Sequence, residues 1–323
     1  MIDRRGLIAG LAASLAAAPA LARVLDRPVR TAMVPVTGGR IFVRVDGDLA
    51  AKRPPVVMIH GGPGGTHAGF LEALALADER AVILYDQLDS GRSDRPGDPA
   101  NWRVARFVDE LDAIRQALGI ARWHVLGASW GGTIALEYGA RRPAALAGLA
   151  LASPLVSTRS WLSDAQALIG ALPPAVQMQL RQCGALTQLV PPPACDAPTA
   201  AFYAAYGRRE AAAADVAAYR RAVPGSNQAL YRAMWGASEF VSTGTLKDYD
   251  GEPLLAKLEG RRTLFLCGQH DEARPVTTAG FAARVPGAEF AVMPGAGHGL
   301  FNDRPAETVA LVRGWLARQD VLA

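Results

Sequence analysis

The feature that most constrains this chain is a strand-like run that passes into a helix-like run through one glycine-framed turn. Trp123-His124-Val125-Leu126 is apolar and β-prone, and Gly127-Ala128-Ser129-Trp130-Gly131-Gly132 follows it. Thr133-Ile134-Ala135-Leu136-Glu137-Tyr138 then reads as helix, with Arg141-Arg142-Pro143 as the stop. So sharp a reversal forces Ser129 into a strained backbone conformation, and the flanking glycines remove side chains that would clash. The serine oxygen is then held out at the carboxyl edge of a sheet, beside a helix N-terminus, in the geometry of a nucleophile. The G-x-S-x-G pentad occurs once in the chain.

Around this turn the chain alternates. Residues 31–45 read as a hairpin turning at Gly38-Gly39, a dipeptide that tolerates the positive φ of a tight turn. Residues 55–60, 81–85, 123–126 and 146–152 are short apolar strands, and residues 102–118 have helical periodicity with Gly119 as the stop. Strands resume at residues 262–267 and 289–293, before a last helix over residues 305–317. Short apolar strands separated by helices imply an α/β fold, a mostly parallel central sheet covered on both faces. After Ser153-Pro154 the rhythm changes. Residues 155–246 are Ala-, Gln- and aromatic-rich, broken by Pro173-Pro174 and Pro191-Pro192-Pro193, with no strand-like run. A helical block inserted between strands of one sheet reads as a lid, leaving residues 23–154 and 247–323 as the core. The strand ends beneath it are where open α/β sheets bind ligands.

Composition bounds the partners. The chain has 323 residues and is 50% hydrophobic, enough for one large core and a sizeable insertion. Its formal charge of +4 comes from scattered rather than clustered arginines, which points away from nucleic acid. Past the N-terminus no stretch approaches the ~20 apolar residues of a membrane helix. Residues 1–22 read as a signal peptide. Arg4-Arg5 precedes an apolar run and Ala20-Leu21-Ala22 resembles a cleavage site, which implies export to a bacterial periplasm by a twin-arginine-like or Sec signal. Asp3 stands where a twin-arginine signal usually has Ser or Thr. Of three cysteines, Cys267 lies in an apolar run and reads as an inert core thiol. Cys183 and Cys195 flank a Pro-rich loop, and their spacing leaves both a disulfide and two free thiols open. No C-x-x-C or histidine cluster suggests a metal, and no cofactor is expected.

A serine hydroxyl needs a base to take its proton, and the base needs a third group to hold it. Of five histidines, His298 in Gly295-Ala296-Gly297-His298-Gly299 stands in a glycine-rich loop after the last strand, able to reach across the sheet edge. Asp271 follows the strand Leu264-Phe265-Leu266-Cys267 at the same edge. The order Ser129, Asp271, His298 is that of α/β-hydrolases. His60-Gly61-Gly62-Pro63-Gly64-Gly65 follows the first apolar strand, and an N–H of Gly62 with that of Trp130 would form an oxyanion hole, each donor worth roughly 3–4 kcal/mol. A phosphate-binding loop is rejected there, because the Lys-Ser/Thr ending is missing and Pro63 removes an N–H.

These pieces resemble the proline iminopeptidase family of α/β-hydrolases, in particular the tricorn-interacting aminopeptidase and amino-acid amidase branch. The resemblance rests on the segment from His60 to Gly65, Tyr85-Asp86-Gln87 with Gly91-Arg92-Ser93, the pentad, and Gly295-Ala296-Gly297-His298. Met234-Trp235-Gly236-Ala237-Ser238-Glu239-Phe240 with Thr243-Gly244-Thr245-Leu246-Lys247-Asp248 also matches. It implies that Glu239 and Glu272 hold the free amino group of a short peptide or amino-acid amide, whose N-terminal proline or other apolar residue is released through an acyl-enzyme. The chain departs at Asp89, where the family usually has glycine; a solvent-facing carboxylate is expected. Phe202, Tyr203, Tyr206 and Tyr231 read mostly as helix packing, while Trp130 and Trp235, inside motifs, are the better candidates to line a pocket. The rival readings are an esterase or lactonase using the same triad on an uncharged acyl substrate, and a non-catalytic ligand-binding member of the fold.

Overall fold

The computed structural model describes residue 25, residues 28–186 and residues 190–322. The signal-peptide reading of residues 1–22 lies outside the described residues. Eight strands form one sheet: β1 (Arg30–Val36), β2 (Gly39–Asp46), β3 (Val56–Ile59), β4 (Val82–Tyr85), β5 (Trp123–Ala128), β6 (Leu146–Ala152), β7 (Thr263–Gly268) and β8 (Glu289–Met293), in the order β1-β2-β4-β3-β5-β6-β7-β8. The hairpin β1–β2 turns through Gly38 at φ 94°, and β2 pairs antiparallel with β4. From β4 to β8 every pairing is parallel.

The apolar strands bury both faces because their side chains alternate. Val57 and Ile59 of β3 join one core with Phe107 and Leu111 of helix α1 (Val104–Ala117) and Ile134 of helix α2 (Trp130–Ala140). Val56 and Met58 face the opposite core, with Leu71 and Leu74 of the kinked 3-10 run His67–Asp78. That 3-10 run carries no clear helical period in the sequence and was not expected there. Between β6 and β7 lie helices α3 (Thr158–Ile169), α4 (Pro174–Gly184), α5 (Asp196–Tyr206), α6 (Ala214–Ala222) and α7 (Gln228–Met234). Cys183 and Cys195 form a disulfide with their Cα atoms 5.9 Å apart, joining the end of α4 to the start of α5. Cys267 is buried in β7, and burial pushes its thiol up to about 12. After β7 come helix α8 (Pro275–Ala283), the short helix α9 (Leu300–Asp303) and helix α10 (Pro305–Leu322), which runs past the expected end at residue 317.

The strand–helix turn is as tight as its glycines imply. A Cβ built on Gly131 would lie 2.1 Å from the Ile59 carbonyl oxygen, and one on Gly127 would lie 2.0 Å from that of Gly131. Both neighbours are backbone and cannot swing aside. Gly131→Ala is therefore expected to destabilise the fold by roughly 2–3 kcal/mol, as overpacking does. Urea unfolding checks this, and a loss under about 0.5 kcal/mol, the range of a neutral surface substitution, would contradict the close approach.

Candidate active site

Four strand ends and one loop of the helical block meet at the carboxyl edge of the sheet. β3 leads into Gly61 and Gly62, β5 into Ser129, β7 into Asp271 and Glu272, and β8 into the loop of His298. Gly61, Gly62, Ser129, Glu239, Glu272 and His298 all line one cavity of about 890 Å³. Ser129 has φ 57° and ψ −124°, a conformation that L-residues rarely adopt. Its N–H donates to the Ala152 carbonyl at 3.0 Å, and its own carbonyl accepts from Gly132 at 2.8 Å and Leu155 at 3.1 Å. A Cβ on Gly61 would sit 3.4 Å from the Ser129 Oγ, so the glycine loop lies against the serine side chain. Gly62, at φ 124°, has the left-handed backbone that favours glycine. Trp130 opens helix α2, where the first N–H groups lack intrahelical partners.

His298 Nδ1 lies 2.8 Å from Asp271 Oδ1. Asp271 is buried, and its carboxylate is fully engaged: Oδ1 also accepts from Ala273 N at 2.9 Å, and Oδ2 accepts from Gly268 N at 2.9 Å and from the Ser153 hydroxyl. The His298 N–H donates to the Tyr206 carbonyl at the end of α5, at 2.8 Å, and the Trp161 ring of α3 packs edge-on against the imidazole. Sequence reasoning missed Ser153 and Trp161. Ser153 was legible only as a polar residue closing the strand beside Asp271; nothing around Trp161 distinguishes it from an ordinary helix-core residue.

The charges are unbalanced. Glu272 Oε1 stands 3.5 Å from His298 Nε2, while its buried Oε2 has no hydrogen-bond partner among the described residues. Glu239, on the loop after α7, accepts from the Tyr231 hydroxyl. Burial raises the Glu239 carboxyl above its ordinary value, against the Tyr231 hydrogen bond and the charge of His298. Burial likewise pushes Glu272 up to about 8; His298 opposes this, while Glu239 and Asp271 add to it. For His298 burial works downward, but Glu272, Asp271 and Glu239 outweigh it and carry the imidazole up to about 9. Three carboxyl groups thus surround one histidine. A buried carboxylate oxygen without a donor is costly, and one aimed into a cavity fits a cationic ligand.

Two expectations need correcting. Trp130 does not line the cavity: its side chain is buried, its Nε1 donates to Gln87 Oε1 at 2.9 Å, and its ring packs edge-on against Phe107. Trp235 is also turned into the core, against Trp161. Residues at the first turn of α2 and the end of α7 point into the layers that hold those helices, so the walls fall to Tyr203 and Tyr231 instead. Asp89 does not face solvent. It is buried at φ 66°, where Asp is tolerated, and its carboxylate accepts from Gly97 N at 2.7 Å and Trp102 Nε1 at 2.8 Å. The same φ accounts for glycine as the residue such a loop ordinarily needs.

A serine at a strand–helix turn, with a histidine and a carboxylate on the ends of later strands, defines the α/β-hydrolase class. Residues 54–305 match the α/β-hydrolase fold family, and the chain belongs to it. Within that class it is a member of the proline iminopeptidase family. It is 35% identical over 295 residues to the proline iminopeptidase of Heyndrickxia coagulans, covering 88% of this chain and 97% of that one. The crystal structure of the Mycobacterium smegmatis proline iminopeptidase superimposes with a TM-score of 0.79 at 33% identity, covering 91% and 99% of the two chains. That of VinJ gives 0.82 at 32% identity, covering 91% and 100%.

The charge arrangement makes a prediction independent of any substrate. Removing the negative charge nearest Nε2, in Glu272→Gln, should lower the titration midpoint of His298 from about 9 toward its ordinary value. Imidazole NMR across pH 5–10 measures it, and an unmoved midpoint would show that Glu272 does not hold the histidine charged.

Proposed function

We propose that this chain is a serine aminopeptidase or amidase that releases an N-terminal proline, or another apolar amino acid, from short peptides or amides. The observation that carries the reading is the pair Glu239 and Glu272 on the cavity wall, with Glu272 Oε2 buried and unpartnered beside His298. An α-amino group with a pKa near ~8 is mostly protonated at neutral pH. It brings donors for the unpartnered Glu272 Oε2 and a positive charge beside the two carboxyls.

In this reading Ser129 Oγ attacks the carbonyl next to the bound ammonium while His298 Nε2 takes its proton. Asp271, bonded to Nδ1, holds the imidazole in the tautomer and orientation this needs. The oxyanion is met by the N–H groups of Gly62 and Trp130. The scissile C–N bond then breaks, His298 gives the proton to the leaving amine, and an ester to Ser129 remains. Water, deprotonated by the same histidine, hydrolyses that ester and frees the amino acid. A histidine already charged cannot accept the serine proton. Ammonium between Glu239 and Glu272 replaces His298 as their counter-ion, so substrate binding lowers the imidazole toward the range of a working base. The helices between β6 and β7 act as a lid that excludes long or folded chains.

Proline-naphthylamide should be hydrolysed and its N-acetylated analogue should not. Glu272→Gln should lower kcat/KM for the free amine roughly 10- to 100-fold, the worth of a charged hydrogen bond. Equal turnover of the two compounds would contradict the amine role and favour an esterase or lactonase. A fluorophosphonate should label the wild type and not Ser129→Ala; equal labelling of both would remove Ser129 as the nucleophile.

A further inference from the structure

The cavity has a second charged end. Arg208 and Arg220 also line it, in a stretch that the function proposed above does not use. Arg220 is committed elsewhere: Nε donates to the Ala68 carbonyl at 2.9 Å, Nη1 to Asn302 Oδ1 at 3.0 Å and Nη2 to Glu72 Oε1 at 3.1 Å. It fastens α6 to the 67–78 run, and Glu72 balances its charge. Arg208 differs. Among the described residues its guanidinium makes no hydrogen bond or ion pair.

The position of Arg208 is nevertheless fixed. Gly299 N donates to the Gly207 carbonyl at 2.9 Å, one residue before it, and His298 N to that of Tyr206. On its other side, the N–H groups of Arg209 and Glu210 donate to Asp303 Oδ1 at 3.0 and 3.1 Å. The stem crosses Gly299, where an added Cβ would lie 2.8 Å from Arg208 Cγ. A corner clamped at both ends, with its stem laid over the residue after His298, delivers a cation to the cavity beside the reacting centre. Part of the ordering entropy of capturing a ligand is thereby already spent.

The two charged groups have different partners. The carboxyls of Glu239 and Glu272 act on His298, whereas Arg208 acts on Arg220 and Glu72. A peptide with both ends free carries an ammonium and a carboxylate, the charges this cavity complements. We propose that Arg208 binds the C-terminal carboxylate of the leaving peptide, making short peptides with free carboxyl termini the preferred substrates over their amides. The proposal rests on the aminopeptidase reading. Guanidinium suits the task because its N–H groups match a carboxylate in a two-bonded pair.

The test is the ratio of kcat/KM for a prolyl dipeptide to that for its C-terminal amide, measured within each variant so that the amount of folded enzyme cancels. The wild type should favour the free acid roughly three- to tenfold, modest because the pair is partly exposed. Raising the salt should shrink that preference. Arg208→Ala should bring the ratio to about one, and Arg208→Lys should keep part of it. A wild-type ratio of one, or one unchanged in Arg208→Ala, overturns the proposal. Turnover of the N-acetylated dipeptide equal to that of the free dipeptide sinks the aminopeptidase reading itself, a failure read from a different substrate pair.

Discussion

The backbone contact of Gly131 with the end of β3 is the constraint on which the rest of the site depends. Because α2 begins directly after Ser129 and lies against the Ile59 carbonyl, the serine has to adopt its left-handed conformation, and the glycine loop after β3 has to pass over it. The strain is offset by bonds on both sides of the turn: Ser129 to Ala152, and Gly132 and Leu155 back to Ser129. Those bonds tie the turn to the end of β6. The same end carries Ser153, at φ 46°, which donates to Asp271. One close approach thus propagates across three adjacent strands and fixes where the carboxylate behind His298 stands.

The helical block adds the charge pattern. Asn227 caps α7 through its side chain, donates its N–H to the Gly64 carbonyl at 2.8 Å, and reaches the Asp89 carbonyl with Nδ2 at 2.9 Å. The helix that carries Tyr231 is therefore registered against the glycine loop beside the serine. Tyr231 in turn holds Glu239, and Glu239 faces Glu272 and His298. Burying carboxyl groups with too little positive charge is unfavourable for folding. A cavity that retains this imbalance is preorganised for a cation, which in the proposed function is the ammonium next to the scissile carbonyl.

Much of this was legible in the sequence, for physical reasons. β3, β4, β5 and β7 are short apolar runs because both sheet faces are covered, and each is visible in the sequence by itself. The turn at Ser129 requires glycine at fixed offsets, so it too is visible. Side-chain direction is not. Trp130 sits inside the most conspicuous motif yet points away from the cavity, since the first turn of α2 aims it at Gln87. Asp89 looked like a surface carboxylate because its two partners, Gly97 and Trp102, lie eight and thirteen residues further on, and no local pattern pairs them. Ser153 and Tyr231 act through residues distant in sequence, Asp271 and Glu239. Their roles exist only once the strands and helices are assembled.

The central claim is that Glu239 and Glu272 form a seat for an ammonium group. Calorimetric titration of Ser129→Ala with prolinamide at pH 7, repeated in buffers of different ionisation enthalpy, tests it most directly. An ammonium that takes the place of His298 as counter-ion to Glu239 and Glu272 releases the imidazole from its high midpoint of about 9. That change expels a proton, so binding should release close to one proton to the buffer, and N-acetylprolinamide should release none. Binding without proton release, or an N-acetylated ligand that behaves like the free amine, would contradict the account.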